Sequence, residues 1–225
     1  MEAIETIEYK SLEIKIFQDD YPEDPREWDN IGIMVCDHRE YTLGDKKVSD
    51  VIDKENCSSW EDVEKELIKE FDPGIILPLY LYDHSGLSMK IGSFQGYLAQ
   101  GHAEFDSGQV GFIYITRETI LKEYGGKNLT KKTLKRAADY LAGEVENYDN
   151  YLSGNVYGYE TEDIKKELII DSCFGYYGDT DYMIKEAKSN IDYYLKERQS
   201  DKQNKLKALI QNKVSLLKRS ELLTV

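Results

Sequence analysis

The sequence predicts an α+β fold in which a mixed, mainly antiparallel sheet carries helices on one face and is followed by a C-terminal helical appendage. Three features indicate this class. Short segments alternate apolar and polar residues as strands do, and longer segments repeat apolar residues at helical spacing. The third is a change of charge, since residues 182–225 carry 10 basic and 5 acidic residues in a chain with a net charge of −14. We therefore expect an acidic α+β domain over residues 1–180 and a basic helical hairpin or coiled coil over residues 181–225.

Six segments have the composition of strands. Residues 7–18 alternate apolar and polar side chains, which predicts a half-buried strand, whereas residues 31–36 are apolar on both faces and predict a buried one. Pro78 indicates that its strand lies at an edge or contains a bulge. Residues 86–108 contain five glycines and no sustained period, so we expect a long loop there. The predicted strands are residues 7–18, 31–36, 75–82, 109–116, 155–162 and 166–178.

The helical segments begin with recognisable caps. A capping box of Ser58 and Glu61 begins the first helix, and Thr116 caps the second. A further capping box at Ser200 and Gln203 divides the tail into two helices. The predicted helices are residues 58–71, 117–125, 130–152 and two within 182–220. The first and third are expected on one face of the sheet, where they would bury Trp60, Leu67, Leu141 and Val145.

The composition excludes several classes of protein. With 225 residues, 40% of them hydrophobic, the chain is long enough to form a core without covalent crosslinks. Cys36, Cys57 and Cys173 are odd in number and lack metal-ligand spacing, so we expect no disulfide framework, no metal site and no cofactor. No apolar run approaches about 20 residues, and no basic and apolar leader follows Met1. These features predict a soluble, cytoplasmic protein that binds no membrane.

Two segments place Asp, Ser and Gly together at strand ends. The first strand ends in Asp-His-Ser-Gly at residues 83–86, and Asp-Ser-Gly-Gln at residues 106–109 leads into another. Antiparallel pairing of these strands would bring Asp83 and Asp106 to one edge of the sheet. A small hydrolase or a nucleotide-binding cleft is one interpretation, and a pair of Asx turns, which the dipeptides favour, is the other. The candidate catalytic residues are Asp83, His84, Ser85, Asp106, Ser107 and Gln109.

The loop "DDYPEDPREWDN" at residues 19–30 contains six acidic residues among twelve. Its acids lack the alternating order of a calcium-binding loop, and its two prolines stiffen the backbone. Trp28 either anchors the loop in the core or forms part of an exposed interface. The candidate binding residues are Glu23, Asp24, Glu27, Trp28, Asp29 and Asn30. Fixed carboxylates suit binding to a basic surface, and a solvated acidic loop is the alternative.

The basic tail is open to more than one interpretation. Its apolar stripe favours a homodimer through residues 182–220 or docking on the acidic body of the protein. A nucleic-acid-binding regulator acting through the tail is the alternative, although the tail lacks a dense arginine run. For the acidic body itself, repulsion of phosphates disfavours direct binding to nucleic acid.

Five motifs over about residues 22–160 resemble an uncharacterised family of small proteins encoded by phages and mobile elements. These motifs are "PREWDNIGIMVC", "PLYLYDHSG", "DSGQVGFIYIT", "KEYGGKNLTKK" and "EVENYDNYLSGNVYGY". The chain departs from the family at residues 87–105, where the relatives have a shorter link containing Cys-Pro-Trp, and in its tail. The resemblance implies an accessory protein that acts in the cytoplasm of a bacterial host, where such proteins frequently blunt host defence.

The acidic loop and this resemblance together favour a binding protein over an enzyme. The expected function is inhibition of a host defence nuclease through an acidic surface that mimics DNA. A Cas9-type effector is favoured as the target, which would make the protein an anti-CRISPR protein, and a restriction enzyme is the alternative. The expected partner is therefore a host nuclease or another basic protein surface.

Overall fold

The computed structural model describes residues 2–53, 57–97, 102–212, 214–216 and 218–219. The α+β class with a C-terminal helix is confirmed, but the chain forms two compact units rather than a domain and an appendage. The central unit is Tyr21–Val156, and the split unit combines Met1–Asp20 with Tyr157–Val225. The boundary expected at residue 180 differs from this division because the C-terminal helix shares a core with strands from the start of the chain.

Each unit contains one sheet. The strands are β1 (Glu5–Tyr9), β2 (Leu12–Gln18), β3 (Ile33–Cys36), β4 (Lys46–Lys47), β5 (Pro73–Asp83), β6 (Leu87–Ile91), β7 (Ser107–Thr116), β8 (Val156–Asp163) and β9 (Leu168–Tyr177). The helices are α1 (Trp60–Phe71), α2 (His102–Phe105), α3 (Arg117–Tyr124), α4 (Lys131–Leu152) and α5 (Thr180–Gln211). None of the helices within the described residues is long and apolar enough to cross a membrane.

The sheet of the central unit has the order β4-β3-β7-β5-β6, with all neighbours antiparallel except β3 and β4. Successive residues of β7 point to opposite faces. Phe112 and Tyr114 pack with α1, whereas Ile113 and Ile115 pack with α4. The prediction that both helices cover one face is therefore wrong. Leu67, Leu141 and Val145 are buried as expected, and Trp60 is half-buried.

The sheet of the split unit has the order β1-β2-β8-β9. Residues 7–18 form a hairpin rather than one strand, since Lys10 and Ser11 both have positive φ and make a tight turn. Buried residues of β2 and β8 pack against Met183, Ala187 and Ile191 of α5. Helix α5 is continuous to Gln211, so the predicted break at Ser200 is wrong. Lysine, glutamine, leucine and alanine, which are good helix formers, continue the helix past that point.

Three further details differ from the sequence-based expectations. Ser59 rather than Ser58 caps α1, with its hydroxyl accepting a hydrogen bond from the amide of Asp62. Strand β5 is interior because β6 forms within the predicted loop 86–108, so Pro78 does not mark an edge. The register does shift beside it, between Leu79 and Tyr80. Residues 98–101 of the predicted loop lie outside the described part of the chain.

Candidate functional site

The acidic loop is folded around a short 3-10 turn at Pro25–Glu27. Asp24 caps this turn, since its carboxylate accepts a 2.8 Å hydrogen bond from the Arg26 amide. The side-chain amide of Asn30 closes the loop by donating to the carbonyl oxygens of Pro25, at 2.7 Å, and Trp28, at 3.2 Å. Two of the predicted binding residues, Asp24 and Asn30, therefore shape the loop.

The other predicted binding residues lie at the surface. Glu23, Glu27 and Asp29 are exposed. Trp28 is 41% exposed, which favours the interface interpretation over that of a core anchor. Three exposed carboxylates and the ring of Trp28 thus lie on one short segment, which is held by hydrogen bonds within the loop.

The side chain of Arg26 connects the loop to other parts of the central unit. Its side chain is only 4% exposed, and its guanidinium makes a bidentate pair with Asp45 at 2.9 and 2.7 Å. The same group donates to a carboxylate oxygen of Glu144 at 3.0 Å and to the carbonyl of Gly32 at 2.8 Å. Burial disfavours the charged form of Arg26, but the two carboxylates outweigh this effect and raise the pKa of Arg26. We call Arg26, Asp45 and Glu144 the ionic network.

The two carboxylates of the ionic network also bind the backbone after the loop. Glu144 accepts hydrogen bonds from the amides of Ile31, at 2.9 Å, and Gly32, at 3.1 Å, while Asp45 accepts from Met34 at 2.7 Å. A side chain on Gly32 would lie 2.6 Å from a Glu144 oxygen, so only glycine leaves room for this carboxylate. The network therefore fixes both the loop and the start of β3.

Sequence reasoning missed the ionic network. Arg26 and Glu144 are 118 residues apart, and no local pattern marks two such charges as partners. The available signal was a single arginine in an otherwise acidic loop, next to a proline that begins a turn. A lone basic residue among acids is a candidate for burial as a counter-charge.

The second predicted site is assembled as expected at the ends of β5 and β7. The amide of Asp83 donates a 2.8 Å hydrogen bond to the carbonyl of Asp106, so the two residues are direct neighbours. Tyr82 pairs with Ser107 in the ladder. The expected proximity of Asp83 and Asp106 is confirmed.

Within this site, His84 and Asp106 form a close pair of functional groups. Nδ1 of His84 lies 3.3 Å from a carboxylate oxygen of Asp106, and both side chains are partly exposed. The negative charge of Asp83 is the main cause of a raised pKa at Tyr41, and the Tyr41 phenol also hydrogen-bonds with the Asp83 carboxylate. A histidine oriented by a carboxylate is the arrangement that general bases use.

The remaining predicted residues have structural partners or lie at the rim. The hydroxyl of Ser107 donates to the Ala103 carbonyl in α2, and the side-chain amide of Gln109 lies 3.4 Å from the Gly111 carbonyl, to which it donates. Ser85 is exposed in the turn between β5 and β6. The Ser107 hydroxyl is thus engaged with a backbone carbonyl, whereas a nucleophilic serine needs a base as its hydrogen-bond partner.

The paired turns border a cleft of about 440 Å³. Residues after β3, which sequence reasoning did not include, complete its lining. Its polar side chains are those of Asp37, His38, Arg39, Asp83, Asp106, Ser107 and Gln109. Among the described residues, no group of three or more His, Cys, Asp or Glu side chains is arranged to hold a metal ion. We call the cleft that the paired turns border the strand-end cleft.

The predicted tail site, residues 182–220, is described up to Arg219 except for residues 213 and 217. Residues 196–208 of α5 are exposed, and Arg198 lies 3.4 Å from Asp163.

Neither the tail nor the two sites of the central unit can be assigned by likeness to another protein. No family model matches the chain, and no characterised protein or solved structure is significantly similar to it.

Proposed function

We propose that the protein inhibits a host defence nuclease by occupying a basic, nucleic-acid-binding surface with its acidic loop. One observation carries this proposal: Glu23, Glu27 and Asp29 are exposed on a segment that the buried Arg26 holds in place. Carboxylates at fixed positions bind a row of basic groups with less loss of conformational entropy than carboxylates on a mobile loop.

The charge of the central unit supports the same proposal. Residues 21–156 contain 25 acidic and 15 basic residues. Such a surface attracts basic partners over long range and increases the rate of productive encounters. Trp28, exposed between Glu27 and Asp29, provides the apolar area that charges alone lack, and tryptophan is frequent among the residues that dominate interface energies.

A Cas9-type effector is the favoured target. Such an effector reads a short DNA motif with arginines that donate bidentate hydrogen bonds to guanine. Carboxylates accept the same bidentate hydrogen bonds from arginine, so they can replace the base acceptors or phosphates that these arginines bind. The resemblance to phage and mobile-element proteins is consistent with such a target in the cytoplasm of a bacterial host, and a restriction enzyme is the second target to test.

The test uses a neutralised loop. The triple variant Glu23→Gln, Glu27→Gln and Asp29→Asn keeps the shape of the loop but removes three charges. Added to a Cas9-type effector in a DNA cleavage assay, the unmodified protein should block cleavage, and the variant should lose at least about tenfold in inhibitory potency. The matched control is Glu123→Gln, Asp139→Asn and Glu146→Gln, which removes three exposed charges elsewhere in the central unit.

Salt separates electrostatic mimicry from other modes of binding. Affinity for the nuclease should fall steeply between about 50 and about 500 mM salt, since exposed charges are screened over this range. Equal inhibition by the loop variant and the control variant would contradict the proposal. If neither a Cas9-type effector nor a restriction enzyme is inhibited or bound, the assignment to a defence nuclease fails.

A second candidate function, a small hydrolase, rests on the 3.3 Å contact between His84 and Asp106 at the strand-end cleft. In this function His84 takes a proton from water while Asp106 orients the imidazole. The cleft contains Asp37, Asp83 and Asp106 but only one arginine, which disfavours a phosphate ligand and hence nucleotide binding.

The hydrolase candidate is tested with His84→Gln and Asp106→Asn. Each variant should lose at least about 100-fold in turnover of whichever ester or amide substrate the unmodified protein cleaves. His38→Gln is the control, because His38 lines the same cleft but stacks on Tyr41. If the unmodified protein cleaves none of a panel of esters and amides, or if the variants cleave equally well, the hydrolase function is excluded.

A further inference from the structure

Strand β9 forms one edge of the split-unit sheet. It is ten residues long and, among the described strands, pairs with a neighbour on one side only, since it ends the strand order β1-β2-β8-β9. An edge strand presents backbone N–H and C=O groups that can extend a sheet by pairing with another strand. The length of β9 exceeds the five or six residues that are typical of strands.

β9 lacks two of the features that usually protect such an edge. Proteins place prolines or lysines on edge strands to prevent pairing, and the sequence "LIIDSCFGYY" contains neither. Its one charged residue, Asp171, has its carboxylate engaged at 2.7 Å by the Tyr159 hydroxyl and at 2.7 Å by the Asn190 side-chain amide. The charge of Asp171 therefore faces α5, and Gly175, whose φ is 86°, confines the regular part of the edge to residues 168–174.

Exposed apolar side chains lie at both ends of this strand. Ile164, Leu168 and Ile169 are 51%, 44% and 56% exposed at its start. After its end, Tyr182 is 65% exposed, and its ring centroid lies 6.4 Å from that of Tyr176. Apolar groups clustered beside an open edge favour a partner that covers both.

The flanking charges indicate what that partner is. Lys165 and Lys166 outnumber Glu167 before β9, whereas Asp179 and Asp181 follow the strand, and all five residues are exposed. In an antiparallel pair of identical strands, the start of each strand lies beside the end of the other. Lysines of one copy would then face aspartates of the other at both ends, whereas a parallel pair would place like charges together.

We propose that the protein forms a homodimer in which β9 pairs antiparallel with β9 of a second copy. The two-fold axis would pass beside Ser172, so that Ile170 of each copy is opposite Phe174 of the other. Such an interface uses the same surface on both copies and closes on itself, as two-fold dimers do. The result is a continuous eight-stranded sheet.

The structure favours this edge over the tail as the dimer contact. In α5, the apolar face that packs on the sheet ends at Leu195. Residues 196–205 are all polar and exposed before Leu206 resumes the apolar pattern. A coiled coil needs apolar residues at every a and d position, and this polar run interrupts them for almost three turns.

The test measures dimerisation by sedimentation equilibrium over a range of protein concentrations. The unmodified protein should be a dimer, and Ile169→Lys should weaken dimerisation at least about tenfold, because it places a charge at the paired edge. Ile68→Lys is the matched control, since Ile68 is 46% exposed on α1 of the central unit and its replacement should leave the dimer intact.

A charge exchange tests the antiparallel arrangement itself. Lys165→Glu alone and Asp181→Lys alone should each weaken the dimer severalfold, and the double variant should recover most of the loss. Asp179 is left unchanged because it caps α5. A monomeric unmodified protein, a dimer insensitive to Ile169→Lys, or a double variant weaker than both single variants would each overturn the proposal.

Discussion

Each unit contains a network of hydrogen-bonded polar side chains, but the two networks differ in charge. The central unit contains the ionic network of Arg26, Asp45 and Glu144. In the split unit, the Tyr159 hydroxyl and the Asn190 side-chain amide both bind one carboxylate, that of Asp171. The first network therefore balances one positive charge against two negative charges, whereas the second surrounds a single negative charge with neutral donors.

This difference indicates what each network contributes. The second network joins β8, β9 and α5, which already share an apolar core. The ionic network instead connects a surface loop to α4 and to the backbone before β3. A loop has no apolar face to bury, so directional charged hydrogen bonds are the means by which it can be held. Burying several charged groups costs more desolvation free energy than burying one charge among neutral donors. We infer that the ionic network is placed where the proposed binding surface requires a fixed shape.

The largest expected effect follows from removing Arg26. Arg26→Ala leaves the buried carboxylate of Glu144 and the partly exposed carboxylate of Asp45 without their cation, and breaking a buried pair such as Arg26 and Glu144 costs about 3–5 kcal/mol. The free energy of unfolding, measured by urea denaturation, should fall by that amount. Arg117→Ala is the control, because Arg117 pairs with Asp72 on the surface at 3.0 Å and its loss should cost less than about 1 kcal/mol. Equal costs would remove the distinction between the networks.

Alkaline pH should weaken the central unit next most strongly. Burial raises the pKa of the Cys36 thiol from 9.0 to about 12 and that of the Tyr148 phenol from 10.0 to about 12. Because both groups bind their protons more tightly when folded, their contribution is fully present below pH 9 and is lost between pH 9 and 12. Each group lowers the free energy of unfolding by at most about 1.4 kcal/mol per pH unit.

The same titration has an internal control. Cys36→Ala removes the thiol, so the free energy of unfolding should fall less steeply with pH above 9, whatever the cost of the substitution at pH 7. An identical slope in the Cys36 variant and the unmodified protein would show that the thiol is not protected by the folded state.

Removing one hydroxyl from the second network should have a smaller effect. Tyr159→Phe deletes the group that donates to Asp171 at 2.7 Å and accepts from Asn190 at 2.9 Å. Asn190 remains hydrogen-bonded to Asp171, so the expected loss is about 1–3 kcal/mol in urea denaturation. Tyr140→Phe, at an exposed tyrosine, is the control. A cost above that of Arg26→Ala would reverse the ranking of the two networks.

Local patterns predicted one of the two central sites well. The strands ending at Asp83 and beginning before Gln109 are marked by their composition, and antiparallel pairing brings their Asp-containing ends together despite the long segment between them. Their adjacency could therefore be predicted. The third contributor to the cleft, residues 37–39, could not, because it comes from β3 and reaches the cleft only through the pairing of β3 with β7.

Other features depended on contacts that no window of sequence contains. Strand β7 has apolar residues on both faces, Phe112 and Tyr114 on one and Ile113 and Ile115 on the other. This local pattern does indicate that helices pack against both faces of the sheet. The pairing of Arg26 with Glu144 has no such signal, since any acid in the chain could serve. The common core of α5 and β2 could not be predicted either, because it depends on which sheet α5 packs against.

The smallest expected effect separates shape from charge at Asp24. Its carboxylate accepts a hydrogen bond from the Arg26 amide at 2.8 Å, next to the ionic network, and it also adds one charge to the loop. Asp24→Asn keeps the acceptor and removes the charge, so the free energy of unfolding should change by only a few tenths of a kcal/mol, whereas Asp24→Ala should cost about 1 kcal/mol. Both variants remove the same charge from the surface that we propose binds a nuclease. If the fixed shape of the loop matters for binding, the alanine variant should inhibit less well than the asparagine variant, and equal inhibition would mean that charge alone is recognised.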